Sequence, residues 1–150
     1  MDPDQRLHQK NSFPLLVIEG NKDHQLIISY CLRERAPQIE PMFADTVQDA
    51  LSFLSLSAVQ PIAFPRLVIQ SLFLPQIAHG FDLLTEIRSR YPVLPVIVLS
   101  SHQEASTVIK AYEMGAHSFL GKPSSLDHWE YIFQSLNDYW LGTVTLPDKL

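Results

Sequence analysis

The sequence has a single cysteine among its 150 residues, so no disulfide can form within the chain. It also lacks any run of about 18 apolar residues, the length that a membrane-spanning helix needs. The first twelve residues are polar and contain no apolar signal core. We therefore expect a cytoplasmic protein without a membrane segment, in which Cys31 is a packing residue.

Basic residues are scarce as well, because 11 Lys and Arg face 16 Asp and Glu for a net charge of −5. Nucleic-acid-binding proteins normally carry a basic face, so we expect no nucleic-acid partner. The six histidines lack the close helical spacing of a zinc site, and the five glycines form neither GxGxxG nor a P-loop. Ser71 lacks the flanking glycines of a GxSxG hydrolase motif. No enzyme activity and no structural metal are predicted.

Five short apolar segments have the length of β-strands, at 14–19, 39–44, 66–71, 94–100 and 117–121. Helical patterns follow them, beginning near Asn21 or Asp23, at Thr46, and over 81–91, 104–114 and 126–141. Strands that alternate with helices predict an α/β fold with a parallel sheet covered on both faces. In such sheets, functional residues lie beyond the carboxyl ends of the strands. The residues there are Glu19, Gly20, Ala44, Asp45, Ser71, Ser100, Ser101 and Lys122.

Four segments at these strand ends resemble the receiver domain of response regulators, the phospho-accepting module of two-component signalling. They are VIEGNKDH (17–24), LVIQSLFLP (67–75), PVIVLSS (95–101) and MGAHSFLGKP (114–123). The resemblance runs from about Leu15 to the end and implies a doubly wound (βα)5 flavodoxin-like sandwich with strand order 2-1-3-4-5. The tail NDYWLGTVTLP (137–147) is similar to the C-terminal extension of single-domain regulators that partner phytochromes and other sensor kinases. The chain is accordingly divided into a polar arm, a receiver-like domain and a C-terminal extension, at 1–12, 13–141 and 142–150.

The receiver family uses a fixed set of site residues, and the resemblance assigns them here one by one. In the family, two acids after the first strand hold Mg²⁺, and an aspartate after the third strand accepts the phosphoryl group. Glu19 matches the first acid, but Gly20 stands in place of the second. Ser71 stands where the accepting aspartate belongs.

The remaining site positions keep the family's residue types. Ser100 matches the hydroxyl after the fourth strand, and Lys122 matches the lysine after the fifth. Phe119 matches the aromatic switch residue of the last strand. The resemblance also implies a cis peptide bond between Lys122 and Pro123.

The substitutions at Gly20 and Ser71 change the expected chemistry. Mg²⁺ needs several oxygen ligands, and three site carboxylates have become one. A serine hydroxyl must lose its proton as it attacks, and the residues at the strand ends include no histidine to accept it, while Asp45 is unplaced. We expect no cofactor, absent or weak Mg²⁺ binding, and no aspartyl phosphorylation. Lys122 is then expected within salt-bridge or water-bridged reach of Glu19, Ser71 and Ser100, because an unpaired buried ammonium is costly.

The last helix and the tail are richer in apolar side chains than one packed face requires. This excess predicts a homodimer through the fourth and fifth helices, the fifth strand and the tail, and the alternative is that the tail covers its own domain. The candidate interface residues are Trp129, Phe133, Tyr139, Trp140, Leu141, Val144 and Leu146.

Three hypotheses of function remain open from the sequence. The first is a receiver-like protein that acts without phosphorylation by binding protein partners, such as a sensor histidine kinase or a downstream signalling protein. The second is a flavodoxin-like module that binds a small anionic ligand near Lys122. The third is a receiver that a serine kinase phosphorylates on Ser71.

Overall fold

The computed structural model of the chain describes residues 12–60 and 63–147. Strands and helices alternate throughout, as the sequence predicts. The strands are β1 (Phe13–Ile18), β2 (Ile39–Ala44), β3 (Leu67–Gln70), β4 (Val96–Ser100) and β5 (Ser118–Gly121). The α-helices are α1 (Lys22–Arg35), α2 (Val47–Val59), α3 (Ile77–Arg90), α4 (Ala105–Glu113) and α5 (Leu126–Leu136). The predicted polar arm lies outside the described residues except for its last residue.

The five strands form one parallel sheet in the order β2-β1-β3-β4-β5, which confirms the doubly wound α/β fold. Alternate side chains of β1 face opposite layers, so that Leu16 packs with α2, α3 and α4 while Leu15 packs with α1 and α5. Cys31 of α1 is fully buried in the second layer, and burial raises the pKa of its thiol to about 11. Within the described ranges, no helix has both the length and the apolar content needed to cross a membrane.

Helix α3 begins four residues earlier than the predicted 81–91, at Ile77. The glycine in its first turn, Gly80, argues against a helix on propensity alone. It is required because a Cβ at this position would lie 2.1 Å from the carbonyl oxygen of Leu72. The close approach of the Leu72 backbone therefore explains why a glycine, which normally disfavours a helix, occupies position 80.

The predicted final helix, 126–141, is divided in two. The α-helix ends at Leu136, and Asn137–Leu141 form one π-helical segment. Trp140 and Leu141 are adjacent in sequence, yet both pack against the core layer that contains α1. The apolar surface of this segment is therefore broader than the single stripe of an α-helix, and it coincides with the wider π turn.

Candidate functional site

Three polar residues are fixed at the carboxyl edge of the sheet by backbone hydrogen bonds that continue the strand pairing. The N–H of Glu19 donates to Ala44, and the N–H of Ser71 donates to Ile18. The N–H of Lys122 donates to the carbonyl of Ser100 at 2.9 Å. These bonds place the three side chains by rigid strand ends instead of flexible loops.

A buried ion pair lies at the centre of this edge. The ammonium of Lys122 is 2.7 Å from Oε1 of Glu19, and the two side chains are only 9% and 3% exposed. The hydroxyl of Ser71 donates to the same oxygen at 2.5 Å. The other oxygen, Oε2, accepts the backbone N–H of Asn21 at 3.0 Å. Lys122 contacts Glu19 as predicted, and Ser71 meets the lysine only through this shared carboxylate.

The prediction that no histidine lies among the crevice residues is wrong, because His24 in the first turn of α1 also contacts Lys122. The lysine Nζ lies 2.8 Å from Nδ1 of His24. An ammonium can only donate, so Nδ1 accepts and the ring is neutral with its proton on Nε2. Partial burial, followed by the charge of Lys122, lowers the pKa of His24 below its ordinary value. No local pattern in the sequence indicates this contact, because it joins residues 98 positions apart.

Asp45, which the sequence left unplaced, lies at the same edge but is held by other residues. Its carboxylate accepts from Lys22 at 2.5 Å and from the amide of Gln25 at 2.7 Å. The hydrogen bond from Lys22, and then that from Gln25, lowers the pKa of Asp45. Gly20 beside it is exposed, and a Cβ there would meet the Asp45 carbonyl oxygen at 3.3 Å.

The remaining predicted site residues lie close by but play different parts. The Oγ of Ser100 accepts the N–H of His102 at 3.0 Å, so this hydroxyl helps to hold the loop after β4. Phe119 is partly buried against the core, and its N–H donates to the hydroxyl of Tyr112. Pro123 follows Lys122 at intermediate exposure.

The expected cis bond between Lys122 and Pro123 is wrong. Among the described residues, the cis peptide bond is Leu74–Pro75, in the loop after β3. Trans is the favoured form of an X–Pro bond. Lys122 reaches both of its side-chain partners from that form.

The donor set at this edge does not fit Mg²⁺. Both oxygens of Glu19 already accept hydrogen bonds, and the Asp45 carboxylate is bonded to Lys22 and Gln25. Gly20 offers no side-chain oxygen. Within the described part of the chain, no group of three or more His, Cys, Asp or Glu residues is arranged to hold a metal ion.

A cavity of about 500 Å³ opens above the ion pair. Glu19, Ser71 and Lys122 lie among its lining residues. The loops after β3 and β4 contribute Phe73 and His102, whose rings are nearly parallel, with an angle of 18° between their planes. Sequence reasoning missed both rings, because loop residues carry no periodic pattern.

The candidate interface residues fall into two groups. Trp129 and Phe133 are 4% and 0% exposed, so they belong to the core of their own chain. Trp140, Leu141 and Leu146 are partly buried against the same core layer. Tyr139 is 53% exposed, and Val144 has intermediate exposure. An interface on this side would therefore use Tyr139 and its exposed neighbours.

Residues 15–132 match the family model of the response regulator receiver domain. The chain is 26% identical over 149 residues to the regulatory protein FilR2 of Methanothrix harundinacea, covering 98% of this chain and 96% of FilR2. It is 26% identical over 136 residues to the response regulator Rcp1 of Synechocystis sp., covering 89% of this chain and 92% of Rcp1. The crystal structure of Rcp1 in its Mn²⁺-bound form superposes with a TM-score of 0.79, over 90% of this chain and 99% of that one. Phosphorylated RcpA, a cyanobacterial phytochrome response regulator, has the same fold at 24% identity, with a TM-score of 0.81 over 91% of this chain and 99% of RcpA.

Proposed function

The chain belongs to the response regulator receiver domain family of two-component signalling, and we propose that it acts in that role without aspartyl phosphate. Ser71 occupies the position of the phosphoaccepting aspartate, and Gly20 that of the second acid. The chain has no reaction of its own and signals by binding a protein partner, either a sensor histidine kinase or a downstream signalling protein. The single buried cysteine is in keeping with action in the cytoplasm.

One observation carries this proposal: the single carboxylate of the ion pair is occupied by internal partners. A phosphoryl group with Mg²⁺ would need carboxylate oxygens free to coordinate the ion. Glu19 instead accepts from Ser71, Lys122 and Asn21. The ammonium of Lys122 neutralises this carboxylate without a divalent ion.

The two other hypotheses receive less support from this geometry. An anionic ligand near Lys122 would have to compete with Glu19 for an ammonium that is already neutralised. A serine kinase would have to reach the hydroxyl of Ser71. This residue is only 3% exposed, and its hydroxyl donates to Glu19.

Treatment of the full chain with acetyl phosphate or beryllofluoride in the presence of Mg²⁺ tests the proposal. We expect no phosphoryl adduct in the intact mass and a shift of the melting temperature below about 1 °C, because the site lacks both acceptor and metal ligands. RcpA, whose crystal structure is of the phosphorylated form, is treated in parallel as the positive control for the reagents. A phosphoryl adduct on this chain, or stabilisation that requires Mg²⁺, contradicts the proposal.

We also propose that the receiver-like domain, 13–141, forms a homodimer together with the C-terminal extension, 142–150. Support comes from Tyr131 and Tyr139, which are 71% and 53% exposed beside a groove that Trp140 also lines. Exposed aromatic side chains of this kind are enriched among the residues that dominate binding energy in protein interfaces.

Light scattering after size exclusion tests the dimer. Tyr139→Ser is expected to weaken self-association about tenfold or more, since it removes an exposed aromatic contact without opening the core. Val59→Ser on α2, at a side chain that is 81% exposed, is the control and leaves association unchanged. A wild-type chain that stays monomeric at the highest concentration reached overturns this proposal.

A further inference from the structure

Two aromatic rings, one exposed and one partly buried, line the cavity at the carboxyl edge of the sheet. The Phe73 and His102 rings have centroids 6.2 Å apart, and Phe73 is 59% exposed. Single exposed apolar side chains are common on protein surfaces. Here, however, two nearly parallel rings from separate loops line one concave site, an arrangement that presents a flat surface to a ligand.

The cavity beneath these rings has the size and the walls of a small-molecule site. Its volume of about 500 Å³ lies within the range of about 300–1,000 Å³ that is typical of such sites. The apolar part of the wall comes from Leu72, Leu74, Pro75 and Leu99. Apolar walls with a few polar groups are the usual composition of ligand pockets.

The charged groups in this cavity are already compensated. Glu19 and Lys122 form an ion pair, and Asp45 is paired with Lys22. His24 is neutral, because its Nδ1 accepts from Lys122. A charged ligand would therefore have to break an existing pair, whereas an uncharged one would not.

Two hydroxyls at the rim can supply polar contacts to an uncharged ligand. Thr46 accepts the N–H of Asp49 through Oγ1 and keeps its own proton free to donate. Ser101 is exposed, and its hydroxyl makes no hydrogen bond with the described residues. Both face a cavity whose other walls are largely apolar.

We propose that this crevice binds a planar, uncharged heteroaromatic molecule, with its ring against Phe73 and His102 and its polar edge toward Thr46 and Ser101. The apolar wall excludes water from the ring, and the hydroxyls donate to its acceptor atoms. The site stands independently of the proposed function, because it needs neither an acceptor at Ser71 nor a dimer.

Lumichrome, an uncharged heteroaromatic compound of three fused rings, is a suitable probe for the full chain. We expect saturable binding by fluorescence titration. Phe73→Ala should weaken this binding about tenfold or more, since stacking on an aromatic side chain is lost. Leu56→Ala on α2 removes a comparably exposed apolar side chain outside both this cavity and the proposed dimer surface, and as the matched control it leaves binding unchanged.

Two further measurements keep the test decisive. His102→Ala should weaken binding as Phe73→Ala does, and melting temperatures verify that both variants are folded. FMN, which carries a phosphate on a related ring system, should bind more weakly than lumichrome. The proposal is overturned if lumichrome fails to bind at its solubility limit, if both variants bind as the wild type does, or if FMN binds more tightly. None of these outcomes bears on phosphorylation, which the acetyl phosphate experiment tests separately.

Discussion

Lys122→Met is expected to lower the free energy of unfolding by about 3–5 kcal/mol, the usual cost of leaving a buried charge without its partner. The carboxylate of Glu19 is only 3% exposed and would lose the ammonium 2.7 Å away. Only the hydroxyl of Ser71 and the N–H of Asn21 would remain bonded to it. Methionine keeps most of the volume of the lysine side chain, so the loss reports on charge more than on packing. Urea unfolding at neutral pH measures the change.

A double-mutant cycle separates this coupling from other effects. Glu19→Gln should be destabilising to a similar degree, because it leaves Lys122 buried with only His24 as a hydrogen-bond partner. The double variant should recover much of the loss, since neither charge then remains. Lys22→Met is the matched control in an exposed pair, and we expect it to cost less than about 1 kcal/mol. Losses below that value in both buried variants would show that the ion pair does not stabilise the fold.

The element order of the fold could be predicted because short, mostly apolar segments of strand length alternate with helical patterns. The clearest success is β2, where the predicted 39–44 agrees with Ile39–Ala44. The start of α3 could not be predicted, because Gly80 is required by the neighbouring Leu72 backbone, and helix propensity contains no such tertiary information. The π turn at Asn137–Leu141 is hidden for the same reason, since a helical pattern does not distinguish α from π geometry.

The contact between Lys122 and Glu19 could be predicted from charge compensation, once the resemblance had assigned both residues to the carboxyl edge of the sheet. The role of His24 could not be predicted. Its contact with Lys122 joins residues 98 positions apart and depends on how α1 sits over the sheet edge. The cis bond was misplaced because it was carried over from family resemblance and not from a local physical requirement. The same resemblance predicted the family and the strand order correctly, so the overall fold carried over but this local backbone geometry did not.

Packed side chains connect the ion pair of Glu19 and Lys122 to helix α5, on the side of the domain proposed to form the dimer. His24 contacts Lys122 on one side, and its ring centroid lies 5.8 Å from that of Trp129 on α5. Helix α5 is further held to α1 by the ion pair between Arg35 and Glu130 at 2.6 Å. These contacts form a contiguous path of packed side chains from the ion pair to the last helix, and measuring self-association of the cycle's variants tests whether the two are coupled.

The double variant Gly20→Asp/Ser71→Asp is expected to gain one phosphoryl group from acetyl phosphate when Mg²⁺ is present, whereas the wild type gains none. The two substitutions restore three carboxylates at the sheet edge, and an aspartate is already an anion at neutral pH and needs no base to attack. Gly20 is exposed, and its nearest neighbour to a new Cβ is the Asp45 carbonyl oxygen at 3.3 Å, so a small local shift accommodates the side chain. Intact mass spectrometry with and without Mg²⁺ measures the adduct.

Two control variants test whether the phosphoryl gain needs aspartates at both positions. One carries Ser71→Asp alone, and the other moves the second aspartate from position 71 to position 101. Ser71→Asp alone adds a buried carboxylate beside Glu19 without the second metal ligand, so it should lower the melting temperature and accept little phosphate. Mg²⁺ should raise the melting temperature of the double variant, because the ion neutralises carboxylates that otherwise repel one another. Gly20→Asp/Ser101→Asp carries the same added charge at an exposed neighbouring position and should gain no phosphoryl group. A folded double variant that Mg²⁺ stabilises but that stays unmodified would mean that Gly20 and Ser71 do not account for the absence of phosphorylation that we propose.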